Sequence, residues 1–354
     1  MDISVFVFKI NNYYLLMWED FSMFWDKRLL IRFVCLSFLL CLFSSCSSIQ
    51  RMAIGAGSDL LYEASTSLEE ENNWETFRQG VPGNLKLMEV LLSAKPEDEK
   101  LLVNLARGYA GYAFGINETL YLKDLYPEKK DYSVHREQAI VNYSKALKFG
   151  LRFLKLRGIS QKDLNTNMRK KDGIKSLLDN NLSDSSHHLT GALFTGYSLA
   201  GLINLYGKDK MALAGQLPVA KGLFDWVCGK DRNISHGACD IFYGGYEVSK
   251  PFGNRDKAAG IFKKFFKENP HNWLGRMVYT QYFIMEGGEE EDWQKQKLFM
   301  KKAEKLFQDK LKWMPGYKNH KVFENPNLGF YQAIALKRYS ILNEIVEKNK
   351  DDIF

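Results

Sequence analysis

Apolar positions after residue 80 recur at the spacing of one helix face, and no long stretch alternates as a strand does. The apolar residues within 85–92 form one such face. They predict a helix that Pro96 is expected to end shortly afterwards. Residues 97–99 are acidic and lie at the start of the next helix, where the helix dipole favours negative charge. That second helix is expected to run from Lys100 to about Ile116. The pattern predicts an all-α protein.

The second helix carries the residue spacing of the first helix of a tetratricopeptide (TPR) repeat. Leu102, Leu105, Ala106 and Tyr109 follow the bulky, leucine, small, tyrosine order of that repeat. The small residue allows a second helix to approach closely, and the tyrosine fills the space beside it. This segment therefore indicates a helical hairpin of the TPR type.

Second-helix signatures of the same repeat follow further along the chain. An alanine with an aromatic residue four positions later occurs at Ala139, Ala220, Ala258 and Ala303. The last two are each followed after 12 residues by a proline, as a closing residue should be. Their spacing is irregular, which places extra residues in the turns. We interpret the chain as degenerate TPR-like helical hairpins wrapped into one domain, with an unrelated helical bundle as the alternative.

Small residues recur on single faces of two predicted helices, with aromatic residues beside them. The small residues are Gly108, Gly111, Gly115, Ala192, Gly196 and Ala200. Glycine inside a helix costs about 1 kcal/mol relative to alanine, so its repeated use indicates either tight packing or a groove kept open. The aromatic candidates for ligand or partner binding are Tyr112, Phe114, Phe194 and Tyr197. Core packing is the alternative role for all four.

The N-terminal segment has the features of a lipoprotein signal peptide. Residues 33–43 form an apolar run of 11 residues, which is too short to cross a bilayer, and basic residues precede it. Small residues and Cys46 follow the run directly. We predict a signal peptide over 1–45, with Met23 as an alternative start, a lipid on Cys46, and one mature domain over 46–354. An ordinary signal peptide or a buried helix is the alternative.

The remaining chemistry of the chain argues against several functions. The net charge of +7 is spread along the chain, whereas a nucleic-acid site requires a clustered basic stripe. His187 and His188 are adjacent and are expected to point to different helix faces, so no metal site is predicted. No catalytic constellation or cofactor motif is found. Cys228 and Cys239 could pair in an oxidising periplasm or remain buried thiols.

Beyond these patterns, the chain resembles the TRAP-transporter T-component family, called TatT. The resemblance begins with the lipobox at Cys46 and continues in the expected order. The matching segments are residues 91–102, 109–118, 146–150, 217–218 leading to 237–245, 256–259 with 262–270, and 327–354. Together they cover nearly all of the chain from Cys46 onward.

The resemblance implies an all-α fold of cryptic TPR-like hairpins and a homotrimer with a central pore. It also implies association with a periplasmic solute-binding protein and help in delivering a small hydrophobic or organic-acid ligand toward a TRAP permease. The protein would then be periplasmic and attached by its lipid to a membrane whose identity the sequence leaves open. A general TPR-like scaffold lipoprotein that binds proteins in envelope assembly is the alternative function, and a helical enzyme is a third.

The signal-peptide interpretation predicts the effect of removing the lipid-bearing thiol. Cys46→Ser should release the protein into the soluble periplasmic fraction, because stable membrane attachment requires the acyl chains that this cysteine carries. Fractionation of cells followed by immunoblotting measures the change. A Cys46→Ser protein that stays with the membrane after losing its signal peptide would contradict the lipoprotein assignment.

Overall fold

A computed structural model of the chain describes residue 32 and residues 57–354, apart from positions 66, 127, 208–210, 250–252, 313 and 317. Apart from residue 32, the predicted signal peptide lies outside the described residues, and so does Cys46. Within the described part the chain is helical and contains no strand, which confirms the all-α prediction. The main α-helices are α1 (Trp74–Ala94), α2 (Glu99–Tyr112), α3 (Thr119–Leu125), α4 (Val134–Leu156), α5 (Gln161–Asn167), α6 (Gly173–Asn181), α7 (Ser186–Tyr206), α8 (Leu217–Lys230), α9 (Ile234–Ser249), α10 (Arg255–Glu268), α11 (Leu274–Tyr279), α12 (Glu290–Leu311) and α13 (Gly329–Lys348).

Polar side chains fix where several of these helices begin. The Asn73 side chain accepts hydrogen bonds from two backbone N–H groups in the first turn of α1. Asp98 accepts one from Leu101 at the start of α2, so the acidic segment noted in the sequence supplies a cap. Asn254 does the same for α10. Each cap satisfies a backbone donor that has no partner inside its helix.

The N-terminal helices pack against one another largely in chain order. Helix α1 packs on α2, α2 packs on α4 and α7, and α7 packs on α8. Helix α4 also packs on α7, and glycines on both helices permit this close approach. A Cβ atom at Gly150 of α4 would lie 2.2 Å from the Thr195 hydroxyl of α7, and one at Gly191 of α7 would lie 2.5 Å from the Phe153 ring. Glycine at these positions is therefore a packing requirement.

The last long helix, α13, returns to the N-terminal part of the domain. It packs on α11 and α12, and also on α3 and α1. A core of large side chains fills the space between α3, α11, α12 and α13, and its members include Leu122, Trp273, Trp293, Phe307 and Leu342. Burial of these apolar surfaces joins the C-terminal helices to the earlier ones.

Two short π-helical stretches interrupt the regular helices. The second predicted helix does not end near Ile116: α2 continues through a π-helical stretch, Ala113–Glu118, into α3, which ends at Leu125. A second π-helical stretch, Thr280–Ile284, follows α11. Side chains from distant elements bond to carbonyls in the first stretch. Trp74 Nε1 donates to the carbonyl of Gly115 at 2.8 Å.

The alanines of the predicted second-helix signatures are all buried. Ala139, Ala220 and Ala258 are fully buried, and Ala303 is 3% exposed. Their aromatic partners, Tyr143, Phe224, Phe262 and Phe307, are buried as well. This burial agrees with a position between packed helices, while the TPR-like arrangement as a whole stays a prediction.

Candidate functional site

A cavity of about 950 Å³ lies among the helices. Its lining comes from residues 61, 64, 65 and 67–69 and from helices that include α1, α2, α7, α9 and α13. This volume is near the upper end of the roughly 300–1,000 Å³ that small-molecule sites occupy, and the lining is mostly apolar, as such sites usually are. Among the lining residues, Leu87 and Met211 are 55% and 83% exposed, which marks where the cavity meets the surface.

The small residues singled out in the sequence divide between helix packing and cavity lining. A Cβ atom at Gly196 would lie 3.1 Å from the Leu223 side chain, and one at Gly115 would lie 2.8 Å from the Phe330 ring. In contrast, Gly111 lines the cavity, and a Cβ atom there would meet no described atom within 4 Å. Gly245 of α9 also lines the cavity, and a Cβ atom there would meet no described atom within 4 Å either. Missing side chains at these two positions leave space that ligand atoms could occupy.

Three of the four aromatic residues predicted as binding candidates come together at the cavity. Phe114, Phe194 and Tyr197 all line it. The Tyr197 ring lies 5.8 Å from the Phe114 ring and 6.1 Å from the Phe194 ring, both in edge-to-face geometry. These rings provide a rigid apolar wall in which each member supports its neighbour.

Tyr112, the fourth candidate, has a different environment. It is not among the described residues that line the cavity, and its hydroxyl donates to the backbone carbonyl of Arg78 at 3.1 Å. In a regular helix the N–H of residue 82 would bond to that carbonyl, but Pro82 lies inside α1 and has no N–H. Tyr112 therefore replaces a hydrogen bond that the proline removes.

A buried carboxyl group lines one part of the cavity. Glu118 is 5% exposed and accepts a hydrogen bond at Oε1 from the Tyr143 hydroxyl. Burial raises the pKa of Glu118, because the charged form loses its hydration, and the nearby Arg338 and Tyr143 offset this only in part. Burial therefore favours the neutral form of Glu118 over the charged form.

The guanidinium of Arg338 is fully buried, and its positive charge acts on the carboxyl group of Glu118. Its three nitrogens donate to the Thr119 hydroxyl at 3.0 Å, the Gln281 side-chain oxygen at 2.8 Å and the Phe114 carbonyl at 3.1 Å. The guanidinium carbon also lies 4.0 Å from the centre of the Phe114 ring. Arg338 therefore connects α13 to both π-helical stretches and to an aromatic wall residue of the cavity.

A second polar cluster lies on another part of the lining. Arg107 forms an ion pair with Glu69 at 2.6 Å and donates to the Ser65 hydroxyl, and Tyr331 donates to Glu69. Burial would raise the pKa of Glu69, but the hydrogen bond to His236 and the charge of Arg107 outweigh burial and lower it. Glu69 is thus ionised at neutral pH, and its charge is balanced by Arg107.

A strained turn adjoins this second cluster at the start of α9. Ser235, His236 and Gly237 all have positive φ angles, of 46°, 57° and 92°. Such a left-handed run is unfavourable for residues other than glycine. The carbonyl of His236 accepts a hydrogen bond from Asn272, and the Cys228–Cys239 disulfide encloses the turn. Of the two states that the sequence left open, a disulfide and a pair of buried thiols, the structure has the disulfide.

The adjacent histidines do not point to different helix faces, so that part of the sequence prediction is wrong. Successive helix residues are only about 100° apart, and both imidazoles turn toward Glu99, with Nε2 atoms 3.7 and 3.9 Å from its Oε2. Arg157 already pairs with the same oxygen at 2.5 Å. The backbone N–H of Ser183 donates to His188 Nδ1, which places the proton of the neutral ring on Nε2. Both features oppose metal binding at this cluster.

Comparison with known proteins identifies the family. Residues 70–305 match the family described as TAtT, TRAP transporter T-component. The chain belongs to this family. The match confirms the resemblance seen in the sequence and supports an accessory role in TRAP transport; it is a family of transporter components and not of enzymes. A search of curated protein sequences found no match. None of the helices in the described residues is long and apolar enough to cross a membrane.

The position of Tyr112 predicts an energetic coupling with Pro82. Tyr112→Phe should lower the free energy of unfolding by about 1 kcal/mol, because the Arg78 carbonyl loses its donor. In a Pro82→Ala background the restored backbone N–H can bond to that carbonyl, so the same Tyr112→Phe substitution should cost less than half as much. Urea unfolding of the four proteins measures the coupling. Equal costs in the two backgrounds would show that the Tyr112 hydroxyl does not substitute for the missing helix bond.

Proposed function

We propose that this protein is a lipid-anchored periplasmic accessory component of a TRAP-type transport system. In this proposal it associates with a solute-binding protein and helps deliver a small apolar ligand. The observation that carries the proposal is the large, mostly apolar cavity in a chain of the T-component family. A cavity of this size is costly to keep open unless something fills it, because its lining side chains lose packing contacts.

The proposed ligand contacts are the aromatic wall residues and the open glycine positions. Phe114, Phe194 and Tyr197 would pack on an apolar ligand, and Gly111 would let it approach the backbone of α2. Tyr112 would act through the stability of α1 and not through contact with the ligand. The exposed Leu87, which also lines the cavity, supports a mouth at which ligand could pass to or from another protein.

The proposed partner is the periplasmic solute-binding protein, and the proposed assembly is a homotrimer. Leu87 and Val90 give α1 an exposed apolar surface beside the mouth, with exposures of 55% and 64%. The Cys228–Cys239 disulfide supports an oxidising compartment such as the periplasm. Attachment through Cys46 would hold the protein at a membrane near the permease.

A cavity-filling substitution tests the ligand-binding part of this proposal. Gly111→Leu places a side chain into open space on a helix, so it should keep or raise the melting temperature, since leucine favours helix more than glycine does. It should also weaken binding of the neutral dye N-phenyl-1-naphthylamine at least tenfold. Dye fluorescence and thermal melts of the same preparations give both quantities.

Gly80→Leu is the matched control for this experiment. Gly80 also lies inside a helix with no described atom within 4 Å of a Cβ position, but it is exposed and is not among the described lining residues. Dye binding should be unchanged in this variant. Unchanged dye binding in Gly111→Leu as well would contradict the cavity as the ligand site. Retention of a periplasmic solute-binding protein of a TRAP transporter on immobilised wild-type protein tests the partner separately. Retention supports the proposed association, and its absence would contradict it.

A further inference from the structure

The cavity contains a polar side chain whose bonding capacity is unused. Asn104 is 3% exposed, and among the described residues neither its Oδ1 nor its Nδ2 has a hydrogen-bond partner. A buried amide without partners is unfavourable, because it has lost its bonds to water and gained none in the protein. A leucine of similar shape would avoid that cost, so the amide calls for an explanation beyond packing.

The position of Asn104 connects it to the ligand site. It lines the cavity together with Arg107, Gly108 and Gly111. These four residues have the three- and four-residue spacing of a single face of α2. Asn104 is therefore on the helix face that borders the cavity, one turn from Arg107 and two turns from the open position at Gly111.

The charged side chains that line the cavity already have partners within the protein. Among the described lining residues, Glu69, Arg107 and Glu118 are the ones with charged side chains. Glu69 and Arg107 form an ion pair at 2.6 Å. Glu118 accepts a hydrogen bond from Tyr143, and burial raises the pKa of Glu118, which favours its neutral form. An ionised ligand would thus enter a mostly apolar space with no free opposite charge on the described lining, which is unfavourable.

We propose that the cavity selects neutral amphiphiles whose head group carries both a hydrogen-bond donor and an acceptor, and that Asn104 binds this head. A carboxamide fits, since its N–H donates to Asn104 Oδ1 while its carbonyl accepts from Nδ2. A protonated carboxylic acid offers the same pair of groups. Both amide atoms of Asn104 are buried, so the proposal includes a movement of neighbouring side chains that admits the head group. This inference rests on the proposed function and specifies the ligand class of the same site.

An ionised carboxylate is the ligand class that this arrangement disfavours. A carboxylate accepts hydrogen bonds but donates none. It could accept from Asn104 Nδ2, but its negative charge would face Oδ1, which would stay unpaired. The structure therefore favours a neutral head over an ionised organic acid, two classes that the sequence did not separate.

Three probes with the same apolar chain test the proposal by displacing N-phenyl-1-naphthylamine from the protein at pH 8. Decanamide has the donor and the acceptor, N,N-dimethyldecanamide has only the acceptor, and decanoate is ionised. Decanamide should bind wild-type protein about tenfold more tightly than either of the others, because only decanamide satisfies both Asn104 atoms. This comparison of three probes on wild-type protein tests the head-group preference without any variant.

Asn104→Leu should bring the affinities of the two amides within about twofold of each other. Its melting temperature should equal or exceed that of wild type, because an unpaired buried amide is removed. Asn343→Leu is the matched control: the Asn343 side-chain oxygen is also buried without a partner among the described residues, but Asn343 is not among the residues that line the cavity. It should leave the tenfold preference intact.

The outcomes separate this inference from the proposed function. Equal binding of the three probes, tighter binding of decanoate, or a preference that survives Asn104→Leu would overturn the head-group assignment and leave an apolar ligand site in place. Failure of the dye and of all three probes to bind would overturn both. A preference for decanamide that disappears only in Asn104→Leu is the result that the structure predicts.

Discussion

The buried guanidinium of Arg338 is the interaction on which the arrangement of the C-terminal helices around the cavity depends. A buried cation is unfavourable unless hydrogen bonds and nearby negative or π-electron density replace its hydration. Arg338 obtains these from the Phe114 carbonyl and ring, the Thr119 hydroxyl and the Gln281 side chain. Two acceptors come from the first π-helical stretch and from Thr119 directly after it, and the third comes from the second π-helical stretch, far away in the chain. Their geometry and the position of α13 are therefore mutually dependent.

This constraint also determines the chemistry of the cavity. Phe114 is both a partner of Arg338 and a wall residue of the cavity, and Glu118 follows one turn later on the same stretch. Gly111 and Gly245 leave open space in the cavity, whereas other glycines serve helix packing. The result is an apolar space with few polar groups, most of which already bond to one another. The chain belongs to a family of TRAP-transporter components, so we relate this cavity to transport.

The sequence predicted those features that depend on local pattern and missed those that depend on how helices cross. Helix periodicity identified the all-α class, and the glycine and aromatic pattern located three of the cavity wall residues. It could not separate Tyr112 from them, because the partner of Tyr112 is a carbonyl freed by Pro82 on another helix. The roles of Arg338 and Asn104 were missed because they too depend on which helices pack together, which the sequence pattern does not give. A charged or amide residue on an otherwise apolar helix face is the signal that could have indicated both.

Hydrogen exchange in an Arg338→Met protein tests the central claim most directly. Methionine retains much of the apolar stem but none of the donors, so both π-helical stretches should lose protection. The account predicts faster exchange at residues 113–119 and at 280–284, at least tenfold in each, with α4 and α8 exchanging at wild-type rates. Unchanged exchange in either π-helical stretch would contradict the claim that the guanidinium of Arg338 holds the two together.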